Sequence, residues 1–384
     1  MHYRGEADRS IDTMAGPLLQ ADAPALGMRR AGGQRTAGMR FLFVLLLAGM
    51  SALGTITSAA FGQVAARDTV DAEVAESEAE LSSAETAAEI TSDEIAVQWE
   101  PESPTDGTAM AVTVRTPAGG GETRVSAELD GRPVRMGKLG GEWFGIVALP
   151  TDKAGPVELV VSHSRNGEPE VTTRWTVQVR PRTYSETQLS VAPRFTSPPA
   201  EVQERIARER ELVRSTLGEV TAGWLIDGNF VRPRNTRITS PFGQKRLFNG
   251  ELQSRHWGVD LAGEVGTPVR VAGRGRIAIA RNLYYAGNAI YVDHGMGVFS
   301  GYYHLSQMDV SEGDVVERGQ VIGRVGATGR VTGPHLHWSF FAGGERLDAS
   351  SVLDLIVPES GEIDREAAEA GSREAASSEP DAQR

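Results

Sequence analysis

Short runs of alternating apolar and polar residues, separated by Gly, Pro and Asp clusters, constrain the fold of this chain more than any other feature. Between residues 95 and 182 they occur at Ala111–Arg115, Arg124–Leu129, Trp143–Leu149, Val157–His163 and Val171–Val179. Alternation with a period of two places apolar side chains on one face of a strand. Asp130-Gly131 and Asn166-Gly167 tolerate the positive φ of two-residue hairpin turns. About seven short strands at this spacing predict an immunoglobulin-like β-sandwich.

A second strand-rich region, dense in glycine, begins near Thr236 and ends near Val357. Between the two β-regions, the segment from Ser197 to Leu217 carries large apolar residues at helical spacing, and Gly218 can end the helix. The sequence therefore predicts a mostly β protein with two domains joined by a short helix.

Charge separates these domains from the rest of the chain. The 384 residues carry a formal net charge of −12. Residues 68–95 carry ten acids and no base, and the tail from Glu359 carries eight acids against three arginines, so the remainder is about +3. Acidic segments with few large apolar residues are typical of solvated, disordered tethers. No basic stripe with interleaved aromatics appears, which argues against a nucleic-acid partner.

The N-terminal part contains one targeting element. Arg40 precedes an apolar core at Phe41–Met50, and small residues follow at Ser58 and Ala60. This layout is typical of a secretory signal cleaved after Ala60, which predicts an exported protein of the periplasm or cell envelope. The apolar stretch approaches a membrane-spanning length, so an uncleaved inner-membrane anchor is the alternative.

We therefore expect six segments along the chain. They are an N-terminal extension with the signal or anchor (1–60), an acidic disordered linker (61–94), the immunoglobulin-like domain (95–182), a connecting segment with a helix (183–235), a second β-domain (236–358) and a disordered acidic tail (359–384).

Histidines concentrate in the second β-domain. His335 and His337 are two residues apart, so on a strand their imidazoles share one face while Leu336 points to the opposite, apolar side. His256 and Asp260 can likewise converge if both lie on one strand. The chain has no cysteine, which excludes thiolate ligands and cysteine nucleophiles. Imidazole and carboxylate groups that leave one position open are typical of a catalytic zinc site.

Seven motifs occur in the order found in LytM/lysostaphin-type zinc endopeptidases, which this region resembles over about 120 residues. They are SPFG (240–243), HWGVDL (256–261), GTPVRVAGRG (266–275), HG-x-G (294–297), YYHLS (302–306), V-x-x-G-x-x-V-x-x-G-Q-x-I-G (310–323) and TGPHLHW (332–338). The resemblance implies zinc ligands at His256, Asp260 and His337, and catalytic histidines that do not bind zinc at His304 and His335. It also implies a twisted antiparallel β-sheet with an open groove.

The resemblance implies that the protein uses metal-activated water to hydrolyse peptide crosslinks in bacterial peptidoglycan. The substrate would be stem peptides, either at D-alanyl–diaminopimelate crosslinks or at glycine bridges. Some members place a tyrosine before the first ligand, but residues 246–255 contain none, so that role has no counterpart here. Some relatives are non-catalytic regulators of other wall hydrolases, which is the alternative function. The β-sandwich could act as an adaptor, a spacer or an autoinhibitory cover.

Overall fold

Strands dominate the computed structural model, which describes residues 95–116, 123–165, 168–189, 199–248 and 251–360. The N-terminal domain contains eight of them: β1 (Ala96–Glu100), β2 (Ala109–Arg115), β3 (Thr123–Leu129), β4 (Arg132–Val134), β5 (Gly137–Leu139), β6 (Glu142–Ala148), β7 (Gly155–Arg165) and β8 (Val171–Val179).

These eight strands form two antiparallel sheets, ordered β1-β2-β6-β5 and β4-β3-β7-β8. The order is that of an immunoglobulin domain with one additional strand. Alternate residues of both sheets, such as Val112 on β2 and Leu159 on β7, are fully buried in a common core. The predicted immunoglobulin-like sandwich is confirmed, with eight strands where about seven were expected.

The two predicted hairpins differ in outcome. Asp130 and Gly131 connect β3 to β4 with φ values of 52° and 72°, as the dipeptide predicts. Strands β7 and β8 also form a hairpin, but their last pair is His163 with Val171, so the connection is longer than a two-residue turn. Asn166-Gly167 itself lies outside the described residues.

A strand and a helix connect the two domains. Strand β9 (Glu186–Leu189) is followed by helix α1 (Ala200–Gly218), which Pro199 precedes. The predicted start at Ser197 lies outside the described residues. Ile206 and Leu217 are buried, and Leu217 packs with residues of the large C-terminal sheet, including Tyr303.

The second domain contains thirteen strands and a short 3-10 helix. The strands are β10 (Ile238–Ser240), β11 (Lys245–Phe248), β12 (Glu251–Arg255), β13 (Val259–Ala262), β14 (Pro268–Arg270), β15 (Gly275–Leu283), β16 (Gly287–Asp293), β17 (Val298–Leu305), β18 (Gln307–Met308), β19 (Val315–Val316), β20 (Val321–Arg324), β21 (His335–Ala342) and β22 (Glu345–Leu347), and the helix is Ala349–Asp354.

An eight-stranded antiparallel sheet organises this domain, as predicted. Its order is β10-β13-β21-β17-β16-β15-β19, and β22 pairs with the far end of β21. Two three-stranded sheets, β12-β11-β9 and β14-β20-β18, flank it. In the first of these the connecting strand β9 pairs in parallel with β11.

The two domains share one apolar core. Phe144 of the sandwich contacts Trp224, with ring centroids 5.2 Å apart, and the Trp224 indole N–H donates to the Phe144 carbonyl at 3.1 Å. The Ala109 backbone N–H donates to Ser351 Oγ at 2.9 Å. Both aromatic side chains are buried among residues of the C-terminal domain. A shared core of this kind fixes the sandwich against the large sheet.

Several predicted segments lie outside the described residues. These are the signal or anchor segment within 1–60, the acidic linker at 61–94 and the tail from 361 onward. Among the helices of the described part, none is both long enough and apolar enough to cross a membrane.

Candidate metal centre and groove

Three neighbouring strands bring the predicted site residues together. β21 lies between β13 and β17, so that His337 pairs with Asp260 on one side and with Tyr303 on the other. His335 and His337 alternate with Leu336, which is fully buried in the core. The strand alternation expected for these residues is therefore present.

His256 reaches the same point by a different route from the one its spacing suggested. We expected His256 and Asp260 on one strand, but His256 follows β12, and β13 begins only at Val259. The chain bends at Gly258, where a Cβ atom would lie 2.4 Å from His337 Nε2. Only glycine allows the backbone to pass this close to the imidazole. The bend turns His256 toward Asp260.

The polar atoms of these three residues form a nearly equilateral triangle. His256 Nε2 lies 3.0 Å from Asp260 Oδ1 and 3.0 Å from His337 Nδ1. His337 Nδ1 lies 2.9 Å from Asp260 Oδ1. Ligand atoms about 2.0–2.2 Å from a tetrahedral zinc lie roughly 3.3–3.6 Å from one another. The triangle is slightly smaller, so a small outward shift of the three side chains would suit them to zinc.

The hydrogen bond on the far side of the His256 ring defines its tautomer. Its Nδ1 lies 2.8 Å from the Pro241 carbonyl oxygen. A carbonyl can only accept, so Nδ1 carries the proton and Nε2 presents a lone pair to the triangle.

A hydrogen bond with Ser339 defines the tautomer of His337. The Ser339 hydroxyl donates to the Trp257 carbonyl at 3.1 Å, so its oxygen accepts from His337 Nε2 at 3.0 Å. His337 Nδ1 is therefore left as a lone pair. Such hydrogen bonds commonly orient metal-binding histidines.

These proton positions determine what kind of ligand the triangle can bind. Two imidazole lone pairs and a carboxylate oxygen face one another within 3.0 Å, and neither ring nitrogen has a proton to share. Three converging acceptors could be bridged by a cation, and nitrogen and oxygen donors in this number suit zinc. The three residues also form a potential metal-binding group by their mutual distances.

His304 and His335 lie beside this triangle with their own tautomers fixed. His304 Nδ1 donates to the Thr328 carbonyl at 3.0 Å, and His335 Nδ1 donates to the Gly333 carbonyl at 2.8 Å. Each ring therefore has its Nε2 free to accept a proton. His335 Nε2 lies 3.6 Å from Asp260 Oδ1. The ring centroids of His304 and His335 are 5.1 Å apart.

The backbone at His304 is strained. This residue lies one position before the end of β17 and has a φ of 64°, in the left-handed region that residues other than glycine rarely adopt. Non-glycine residues in this region cluster at functional sites, where the surrounding fold holds them. Burial, together with the nearby imidazoles of His337 and His335, lowers the pKa of His304 to about 3. Burial also lowers the pKa of His337 to about 4. Both rings are therefore neutral near pH 7.

A groove of about 810 Å³ opens from this cluster toward β10 and β11. Asp260 and His335 form part of its wall, and Ser240, Arg246 and Gly333 extend it. The groove gives an extended ligand access to the side of the triangle that faces His335.

Two features were not anticipated from the sequence. Ser339 was not considered, although it lies two residues beyond His337 and so must share its strand face. Arg246 carries no motif that marks it as part of a groove. The fifth histidine of the region, His294, is fully buried and bonds to the Arg274 carbonyl and to Ser300 Oγ, so its role is structural.

Comparison with known proteins identifies relatives of this region. Residues 254–349 match the model of Peptidase family M23. The chain is 43% identical over 114 residues to Peptidoglycan DD-endopeptidase ShyA of Vibrio cholerae, covering 29% of this chain and 26% of that protein. It is 41% identical over 132 residues to DD-carboxypeptidase/endopeptidase Mpg of Neisseria meningitidis, covering 34% and 30% respectively. The catalytic domain of lysostaphin from Staphylococcus simulans is 34% identical over 32% of this chain and 94% of that domain, with a TM-score of 0.28.

The family match falls within the C-terminal domain, and the chain covers only 26% and 30% of the length of these two curated relatives. The matched residues include all five side chains of the histidine and aspartate cluster. Residues 254–349 of this chain therefore form a domain of Peptidase family M23.

Proposed function

We propose that the protein is a zinc-dependent endopeptidase that hydrolyses peptide crosslinks of bacterial peptidoglycan. The observation that carries this proposal is the triangle of His256, Asp260 and His337, in which all three donor atoms are free of protons and converge. Two further histidines with free Nε2 atoms lie beside it. The names of the relatives in Vibrio cholerae and Neisseria meningitidis support peptidoglycan as the substrate.

The roles of the side chains follow from their tautomers. When bound, zinc lowers the pKa of a water molecule toward neutrality and polarises the scissile carbonyl. His304 and His335 share the proton transfers, since each holds an Nε2 lone pair toward the reacting atoms. The histidine that accepts the proton becomes an imidazolium and donates it to the leaving amine. The other histidine also presents an Nε2 lone pair, so it can donate to the oxyanion once that nitrogen has taken up a proton from solvent.

Purified protein is expected to hold about one zinc ion per chain, because the described part of the chain contains one such three-ligand group. The zinc-bound protein should solubilise crosslinked sacculi and release peptide fragments whose masses identify the bond that is cut. Zinc content by elemental analysis and products by mass spectrometry test both expectations.

Removal of zinc with a chelator, followed by its return, provides the matched control. Activity should disappear with the metal and reappear with it. A folded, zinc-replete protein that cleaves no type of crosslink would contradict the enzymatic function. It would favour the alternative, a non-catalytic member that regulates other wall hydrolases.

We propose in addition that the protein is exported and that the mature chain begins near Phe61. The support is the basic residue at Arg40, the apolar core at Phe41–Met50 and the small residues at Ser58 and Ala60. N-terminal sequencing of the protein from cell envelopes is expected to begin close to Phe61. An N-terminus at or before Met39 on envelope-bound protein would instead establish a membrane anchor.

A further inference from the structure

Positive charge is concentrated in the groove beside the proposed metal centre. Three arginines line it, at positions 234, 237 and 246, against one carboxylate outside the triangle, Glu264. Because the walls of a groove exclude part of the water, guanidinium groups there attract an anion more strongly than they would on an open surface.

The three arginines are not equivalent. Arg234 donates from Nη1 to the Pro268 carbonyl at 2.5 Å and from Nε to the Ala262 carbonyl at 3.4 Å, so it supports the wall. Arg246 is half-buried and Arg237 is exposed. Neither has a side-chain hydrogen bond or an ion pair with any residue in the described ranges. The half-buried guanidinium of Arg246 therefore has five N–H donors that only water or a ligand can satisfy.

Arg246 also occupies a well-supported position. Its strand β11 is paired on both sides, with β12 and with β9. A paired strand holds its side chains more rigidly than a loop does, which lowers the entropic cost of binding a ligand. Ser240 and His335 line the same groove, so Arg246 can contact groups close to the bond that is cut.

The two crosslinks differ in charge next to that bond. In a D-alanyl–diaminopimelate crosslink, the carbon that bears the leaving nitrogen also bears a free carboxylate. A glycine bridge has no charged group near any of its peptide bonds. A guanidinium binds a carboxylate through two parallel hydrogen bonds, which favours the first substrate and gives no advantage to the second.

We propose that Arg246, assisted by Arg237, binds the free carboxylate on the leaving side of the scissile bond and selects crosslinks that carry one. This inference rests on the proposed peptidase function and specifies its substrate. Glu264 repels a second carboxylate and so limits the charge that the groove accepts. Arg246 is the principal contact because it is half-buried, whereas water screens Arg237.

Two synthetic crosslinked peptides test this inference on the full zinc-loaded chain. They differ only at the leaving-side group, which is a carboxylate in one and a carboxamide in the other. For the wild type, kcat/KM is expected to favour the carboxylate about 10- to 100-fold, the range for a charge-assisted hydrogen-bonded pair. In Arg246→Gln this ratio should fall close to one, and Arg237→Gln should reduce it less. Arg246→Lys should keep part of it, because the charge remains but the two-pronged geometry is lost.

Arg270→Gln is the matched control, since Arg270 is an exposed arginine of the same domain that does not line the groove. This variant should keep the wild-type ratio, and zinc content reports that each variant is folded. A wild type that cleaves both peptides equally well would overturn the inference and leave the peptidase function intact. Full preference retained in Arg246→Gln would also overturn it. A zinc-loaded wild type that cleaves neither peptide would instead refute the function on which the inference rests.

Discussion

Replacement of His337 with Ala is expected to abolish zinc retention and peptidase activity together. His337 supplies one of three donor atoms, and it is the one whose lone pair depends on the support of Ser339. With only His256 and Asp260 left, two ligands hold zinc poorly, and solvent competes for the remaining positions. Zinc content after gel filtration and turnover of sacculi measure the two losses on the same sample.

His163→Ala is the control for this experiment, because His163 lies on β7 of the sandwich and its Nδ1 makes no hydrogen bond within the described structure. It should retain zinc and activity. Near-stoichiometric zinc in His337→Ala would show that the triangle is not the metal centre.

The replacements His304→Ala and His335→Ala are expected to leave zinc in place and to slow the chemical step. Both histidines lie outside the triangle, and each offers Nε2 for proton transfer or for the oxyanion. Loss of one such group lowers kcat on the order of 10²–10⁴-fold. Steady-state kinetics and zinc analysis of the two variants, compared with His337→Ala, separate the proton carriers from the ligands.

The division of roles would be wrong if either variant lost zinc as completely as His337→Ala. Full activity with full zinc in either variant would remove that histidine from the mechanism. Far-ultraviolet circular dichroism should be unchanged in both, since His304 and His335 bond to carbonyls of neighbouring loops and not to the core.

Local rules predicted part of this architecture. The sequence placed His335 and His337 on one face and Leu336 on the other, and the structure agrees, because strand alternation depends only on the backbone. The Asp130-Gly131 turn was predictable for the same reason, since two residues determine their own φ values.

Contacts between distant parts of the chain explain what the sequence did not predict. His256 does not share a strand with Asp260, because Gly258 bends the backbone to let His337 approach. The missing side chain at Gly258 matters only after folding has brought it next to His337, which lies 79 positions later in the sequence. The guanidinium of Arg246 likewise becomes significant only because β11, paired with β12 and β9, places it beside the groove. Neither relationship leaves a periodic signal in the sequence.

The core that Phe144 and Trp224 share has a consequence for how this protein can be divided. A gene from which the coding region of the sandwich was removed would encode a C-terminal domain whose indole ring at Trp224 and neighbouring Ile226 lie in water. An apolar face of this kind promotes self-association and proteolysis. The two domains look separable by sequence, but expression of the C-terminal domain alone should therefore give an unstable protein. A protein that carried this domain without the sandwich would need another segment to cover the apolar face.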